Sequence, residues 1–203
     1  MNKRIKIVGL ILNGGLSTRM GSDKAIKKIN NESLLELVIK RAVPQVDILL
    51  INSNKTFKCK YQIIPDCMEG NLGPLVGILS GLKFIKKNKT SSWLAVFPVD
   101  SPFFPKNMIQ NFLKNISDEQ IIMATSKNKV HPVFSMWNVD VSDLLEDFLK
   151  CGGRKIDLFS KKFKTRLVNF PFFGYDPFFN VNNKKDLEEA KLIYNNLMEG
   201  IFE

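Results

Sequence analysis

A chain of 203 residues, 44% hydrophobic and 25% charged, carries enough apolar material for a sizeable core, which excludes intrinsic disorder. Its 30 Lys and Arg against 20 Asp and Glu leave a net charge of +10, which favours anionic partners. Cys59, Cys67 and Cys151 form no CxxC pair and His131 is the only histidine, so neither a disulfide framework nor a structural zinc site is expected, and the reading is a reducing cytoplasm.

Residues 5–12 are apolar and rich in β-branched side chains, and they break at Asn13-Gly14-Gly15. This short run behind a basic start reads as a buried parallel strand rather than a secretory leader. A polar loop follows to Lys24. Leu34, Leu35, Val38, Ile39 and Ala42 then recur at helical spacing, with Asn30, Asn31 and Ser33 available as caps. Residues 46–51 predict a second strand and residues 61–64 a third. A second helix entered through Gly73-Pro74 carries Leu75, Ile78, Leu79, Leu82 and Ile85. Residues 93–97 predict a fourth strand, 107–114 a helix, 120–124 a strand and 130–137 a strand continuing that region. Residues 141–149 predict a helix with Leu144, Leu145, Phe148 and Leu149 on one face. Residues 166–170 predict a late strand and 185–197 a closing helix with Leu187, Ala190, Ile193 and Leu197 inward. Strands and helices alternate throughout, so the expected fold is α/β, three-layered, with helices on both faces of a mainly parallel sheet. No repeat, low-complexity tract or linker interrupts residues 1–203, so one domain is expected.

Ligands of open parallel sheets bind beyond the carboxyl ends of the strands. The first strand is followed by Asn13-Gly14-Gly15, the second by Asn52, the third by Asp66 and the fourth by Asp100. An amide, two carboxylates and a glycine pair therefore gather at one edge.

The first of these loops, LNGGLSTRMGSDK, has the chemistry of a phosphate cradle. Gly14 and Gly15 lack Cβ, so backbone N–H groups can approach an anion. Arg19 offers a planar fork to phosphate oxygens and Lys24 a point charge. The spacing matches neither GxxxxGK[ST] nor GxGxxG. Asp100, in FPVDSP, suits a Mg²⁺ ligand beside phosphates, or else caps a helix after Pro102. Asp66 and Asn52 suit the edge of a base, or ordinary turns. Asn180 and Asn182 precede the last helix, where Asn182 or Asn183 is also placed to cap it. His131 reads as structural or substrate-orienting rather than catalytic. Phe172, Phe173, Tyr175, Phe178 and Phe179 either pack the edge of the core or wall a planar ring. The cations cluster only briefly, at residues 83–89 and 161–166, without the interleaved aromatics of a nucleic-acid platform.

Taken in order, LNGGLSTRMGSDK, PDCMEGNLGPLVGI, FPVDSPF, HPVF and FFNVNNKKDL resemble the motifs of the molybdenum cofactor guanylyltransferases, the MobA-type nucleotidyltransferases. The resemblance spans residues 5–187. The glycine-rich loop alone marks nucleotidyltransferases broadly, and GPLVGI, HPVF and NVN narrow it to the molybdopterin branch. Asn13 stands where the family pattern has Ala, Val99 and Ser101 where it has Cys and Thr, and NNKKDL lacks the pattern's Thr-Pro.

The resemblance implies a Rossmann-like nucleotidyltransferase fold and a reaction. A terminal phosphate of Mo-molybdopterin attacks the α-phosphate of GTP, GMP is transferred and pyrophosphate leaves. It implies that Leu12, Asn13, Gly14 and Gly15 contact the nucleotide, that Asn52 and Asp66 hold guanosine, and that Arg19 and Lys24 stabilise phosphate charge. It implies that Asp100 binds Mg²⁺, and that Asn180 and Asn182 lie near the pterin phosphate. The expected partners are these two substrates, with transient contact to other molybdenum cofactor biosynthesis proteins or acceptor apoenzymes. A monomer with no nucleic-acid or membrane partner is expected. The alternatives are a related enzyme using CTP or a sugar-phosphate acceptor, and a non-catalytic basic protein that binds nucleic acid.

Overall fold

The computed structural model describes residues 5–14, 27–70, 72–172 and 174–201. Strand β1 (Ile7–Leu12) is buried along its whole length, as a strand covered on both faces must be. Its side chains alternate between two layers: Ile7 and Ile11 enter one core cluster, Val8, Leu10 and Leu12 the other. Strands β4 (Ile48–Asn52), β5 (Gln62–Ile64), β6 (Trp93–Pro98), β7 (Ile121–Ser126), β8 (Lys129–Asn138) and β9 (Thr165–Asn169) join it in a seven-stranded sheet of order β5-β4-β1-β6-β8-β7-β9. Every pairing is parallel except the two made by β8, which runs against both β6 and β7.

Helices α1 (Leu34–Ala42) and α3 (Met108–Lys114) cover one face. They add Val38, Ala42, Met108, Ile109 and Phe112 to the first cluster. Helices α2 (Pro74–Asn88), α4 (Ser142–Lys150) and α5 (Ile156–Ser160) cover the other. The expected three-layer α/β architecture is therefore present. Gly81 lets α2 lie close on the sheet, since a Cβ there would stand 2.8 Å from Leu94 Cδ2 and 3.0 Å from Leu10 Cδ2. A smaller cluster seats helix α6 (Lys184–Met198) against α1 and a two-stranded hairpin, β2 (Lys28–Ile29) and β3 (Glu32–Ser33). Ala190 and Ile193 are its buried contacts, with Leu187 and Leu197 packed against them, as the spacing predicts.

The differences from the sequence reading have local causes. Ser33 alone caps α1, in a capping box with Glu36, while Asn30 has φ 53° and turns the β2–β3 hairpin. Val46 and Asp47 precede β4 rather than belonging to it, because a 3-10 turn at Val43–Gln45 consumes the approach. Leu144 is exposed; α4 packs through Leu145 and Leu149, with Val141 below them in a 3-10 turn. The strand at residues 130–137 is antiparallel, joined to β7 through Lys127 and Asn128 at φ 45° and 60°. Positive φ at both residues is what a two-residue hairpin requires. The β7–β8 ladder also shifts register, since Met123 faces Ser135 but Ala124 faces His131. Residues 132–134 are thus bulged out.

Candidate nucleotide site at the strand ends

Register brings the ends of four parallel strands level. Leu12 of β1 pairs with Asn52 of β4 on one side and Pro98 of β6 on the other, and Asn52 pairs with Ile64 of β5. The departing loops are stitched together just past these pairs. Asn13 N–H donates to Asn52 O at 3.0 Å, Val99 N–H to Leu12 O at 3.2 Å, and Ser53 N–H to Ile64 O at 3.0 Å. Leu12, Asn13, Gly14, Asn52, Asp66 and Asp100 therefore leave the sheet at one edge. Gly15, Arg19 and Lys24, also expected there, lie outside the described residues.

Asn52 is 3% exposed and is the hub of the hydrogen bonds at this edge. Its Nδ2 donates to Asp66 Oδ1 at 2.9 Å and to Ile64 O at 3.3 Å. Both partners only accept, so the amide orientation is chemically determined. Its Oδ1 then faces Gly14 and Gly77. A Cβ on Gly77 would stand 2.4 Å from that oxygen and 2.7 Å from Leu12 Cδ2; one on Gly14 would stand 3.7 Å from it. Gly77, the last glycine of the GPLVG run, thus makes room on α2 for the Asn52 side chain.

The other oxygen of Asp66 accepts from Asn54 Nδ2 at 2.8 Å, and Asp66 N–H donates to Asn54 Oδ1 at 2.8 Å. Each carboxylate oxygen keeps acceptor capacity for a ligand donor while its orientation is held. A cleft of about 290 Å³ opens beside it, lined by Asn54, Asp66, Cys67, Met68, Glu69 and Gly70. Its far wall is pinned to α2, because Cys67 N–H donates to Ser80 Oγ at 2.9 Å and that hydroxyl donates to Val76 O at 2.8 Å.

Asp100 is half-buried in the turn after β6. It does not cap the following helix, since α3 begins only at Met108. Among the described residues no group of three or more His, Cys, Asp or Glu converges on a metal position. One carboxylate at a strand end still fits Mg²⁺, which takes only one or two protein oxygens and leaves its other positions to phosphates and water.

Asn180 and Asn182 are exposed on either side of Val181, which is fully buried. Val181 N–H donates to Asp100 O at 2.8 Å, so this segment is laid against the Asp100 turn. The cap of α6 is Asn183, in a capping box with Asp186, and not Asn182. Phe178 is core, ringed by Phe134 at 4.7 Å, Phe170 at 5.6 Å and His131 at 4.6 Å. Tyr175 and Phe179 pack against the α6 cluster. Phe172 is 38% exposed beneath the Lys127 ammonium, and Phe173 lies outside the described residues.

His131, 8% exposed on β8 just before the bulge, meets Ser126 at 2.8 Å through Nε2. The Ser126 hydroxyl donates to Asp176 Oδ1 at 3.0 Å, and Phe178 N–H donates to the same oxygen at 2.9 Å. Burial pushes the imidazole below the usual histidine value and outweighs the attraction of Asp176; Lys129 repels the charge as well. Sequence reasoning missed Asn54, Ser126 and Asp176. Asn54 and Asp66 are 12 residues apart and Ser126 and Asp176 are 50, and no periodicity marks them.

Residues 9–162 match the family model of the MobA-like NTP transferase domain. The chain is 35% identical over 191 residues to the molybdenum cofactor guanylyltransferase of Rhodopseudomonas palustris strain HaA2, covering 90% of this chain and 89% of the relative. It is 34% identical over 194 residues to the molybdenum cofactor guanylyltransferase of Rhizobium meliloti strain 1021, again covering 90% and 89%. Its fold resembles that of molybdopterin-guanine dinucleotide biosynthesis protein A from Archaeoglobus fulgidus, with a TM-score of 0.74 at 20% identity over 93% of this chain and 99% of the other. It also resembles the 4-diphosphocytidyl-2C-methyl-D-erythritol synthase of Anaerococcus prevotii, with a TM-score of 0.73 at 9% identity over 94% and 96%.

Proposed function

The chain belongs to the MobA-like NTP transferase family, and from that premise we propose that it transfers GMP from GTP to the terminal phosphate of Mo-molybdopterin, releasing pyrophosphate. The observation that carries the reading is the level register of Leu12, Asn52, Ile64 and Pro98, which delivers Asn13-Gly14, Asn52, Asp66 and Asp100 to one edge.

The reaction needs no protein nucleophile, because the attacking oxygen is the acceptor's own phosphate. A P–O bond forms at the α-phosphate as the bond to pyrophosphate breaks. The protein's work is positioning and charge stabilisation. In this reading the backbone of Leu12, Asn13, Gly14 and Gly15 lies along the nucleotide, and Asn52 and Asp66 hold guanosine. A fixed acceptor pair suits guanine, whose N1–H and N2–H groups donate side by side, whereas cytosine offers a single amino donor there. Arg19 and Lys24 offset the charge developing on the phosphates. Asp100 would hold Mg²⁺, which supplies charge neutralisation and polarisation of the phosphorus when bound. Asn180 and Asn182 would meet the pterin phosphate from the opposite side. Within a cell the cytoplasm is the expected compartment, with contacts to later acceptors of the cofactor being transient.

The test is incubation of labelled GTP, Mg²⁺ and Mo-molybdopterin with the protein, with pyrophosphate and a guanylated pterin as the expected products. Asp100→Ala should abolish transfer while leaving the circular dichroism spectrum unchanged. Absence of product from folded wild-type protein refutes the reaction. Tighter calorimetric binding of CTP than of GTP refutes the choice of base.

A further inference from the structure

We infer that His131 is a positioning residue for the pterin-phosphate acceptor, acting through Ser126 and Asp176 to hold the segment that carries Asn180 and Asn182. The inference rests on the acceptor-side reading of those two asparagines.

The proton count determines how the relay is wired. A serine hydroxyl has one proton, and a carboxylate only accepts. Ser126 gives its proton to Asp176 Oδ1, so its oxygen must accept from His131 Nε2–H. The neutral imidazole is therefore the Nε2–H tautomer. Each member comes from a different element: Ser126 ends β7, His131 sits on β8 just before its bulge, and Asp176 opens the loop towards α6. Ser126 is 1% exposed and His131 8%, so water does not compete freely for these bonds.

The relay reaches the acceptor segment by three short steps. Asp176 Oδ1 also accepts from Phe178 N–H, and Asp176 O accepts from Phe179 N–H at 3.0 Å. The Phe178 ring packs on the imidazole itself. Val181 N–H then closes on Asp100 O. The segment is thus tied at one end to His131 through Asp176 and at the other to the turn of the proposed Mg²⁺ ligand. Loss of the first tie leaves the donor side intact, because Asn52, Asn54 and Asp66 share no hydrogen bond with the relay.

The experiment compares His131→Leu, Asp176→Ala and His131→Gln in the full chain. Calorimetry measures GTP binding, and initial rates measure KM for Mo-molybdopterin at saturating GTP and Mg²⁺. His131→Leu and Asp176→Ala, which removes the one oxygen that accepts from both Ser126 and Phe178, should raise the pterin KM about tenfold or more, as expected when a reacting group is held loosely, with the GTP Kd unchanged within about twofold. His131→Gln, whose amide can still donate to Ser126 Oγ, should recover most of the loss. Hydrogen exchange of residues 178–182 should quicken in His131→Leu and Asp176→Ala and not in His131→Gln. A parallel loss of GTP affinity, or an unchanged pterin KM in a folded variant, overturns the inference. Ser126→Ala removes the centre of the relay with little change of volume and replaces His131→Leu if that variant does not fold. If wild-type protein transfers nothing to the pterin, the functional reading fails. Exchange then decides the relay alone: unchanged protection of residues 178–182 overturns it, and accelerated exchange supports it.

Discussion

Gly77→Ala isolates the Asn52 hub. In the interior of an exposed helix this change adds stability, about 1 kcal/mol by propensity. Here the new methyl would stand 2.4 Å from Asn52 Oδ1, 3.0 Å from its Cγ and 2.7 Å from Leu12 Cδ2. Overpacking of this kind costs about 1–3 kcal/mol. Asn52 cannot swing away without giving up its bonds to Asp66 Oδ1 and Ile64 O, each worth about 0.5–1.5 kcal/mol net. The sum is a loss of about 1–5 kcal/mol after the propensity gain. Displacing Asn52 also releases one oxygen of Asp66, so GTP binding should weaken at least about tenfold, which corresponds to about 1.4 kcal/mol. Gly81→Ala is the control. Its methyl would meet only the ends of Leu94 and Leu10, so it should lower stability and leave GTP affinity alone. Urea unfolding and GTP calorimetry on both variants check this. Wild-type GTP affinity in Gly77→Ala, or equal losses of affinity in the two variants, refutes the role given to Asn52.

Two further outcomes follow from the charges. Asp66→Asn keeps the side-chain shape but puts a donor where an amide now donates, so either the bond to Asn52 or that to Asn54 is lost. GTP affinity should fall about tenfold or more while ATP and CTP binding stays weak, as competition calorimetry would show; a gain in ATP affinity would mean that Asp66 selects against adenine rather than for guanine. Glu146, hydrogen-bonded by Lys83 and Lys150, has its carboxyl held down to about 2. Because the folded value lies below the ordinary 4.5, its contribution is present above about 4.5 and is lost as the pH falls towards 2. Glu146→Gln should cost about 1 kcal/mol at pH 7, the scale of measured exposed ion pairs, with the gap to wild type closing near pH 2 in urea titrations. A gap that persists at that pH would mean that packing, and not charge, is what the glutamate supplies.

Elements with a strong period and a buried face were readable in the sequence: β1, α2, β6 and α6 follow from apolar spacing alone. What was not readable has physical causes. The two-residue strands β2 and β3 and the five-residue α5 are too short to show a period. The reversal of β8 was hidden because Lys127-Asn128 turns the hairpin without a glycine, so the usual Asn-Gly or Asp-Gly signal is missing. In the site, Asn52, Asp66 and Asp100 were legible because each ends a strand. Asn54 and Asp176 were not, because each is defined by a partner 12 or 50 residues away. The proposed acceptor side, Asn180 and Asn182, came from the resemblance and not from any strand end.

The reversed strand separates the two halves of the proposed site, a nucleotide-donor half on the β1 side and an acceptor half on the β8 side. The register of β6 with β1 runs to Pro98, but its register with β8 ends at Val96–Ser135, where the bulge opens. On the β1 side the end of β6 is stitched to the donor half, through Val99 N–H to Leu12 O. On the other side His131, just before the bulge, and Phe134 within it both pack their rings on Phe178 of the loop before α6. That loop then meets Asp100 through Val181. A continuous parallel ladder past Val96 would occupy this position with another strand end and another donor-type loop. Breaking the ladder there instead leaves Asp100 at the seam between the two halves. In the proposed reaction, which joins two phosphates from opposite sides, that seam is where a carboxylate that holds Mg²⁺ would serve both substrates.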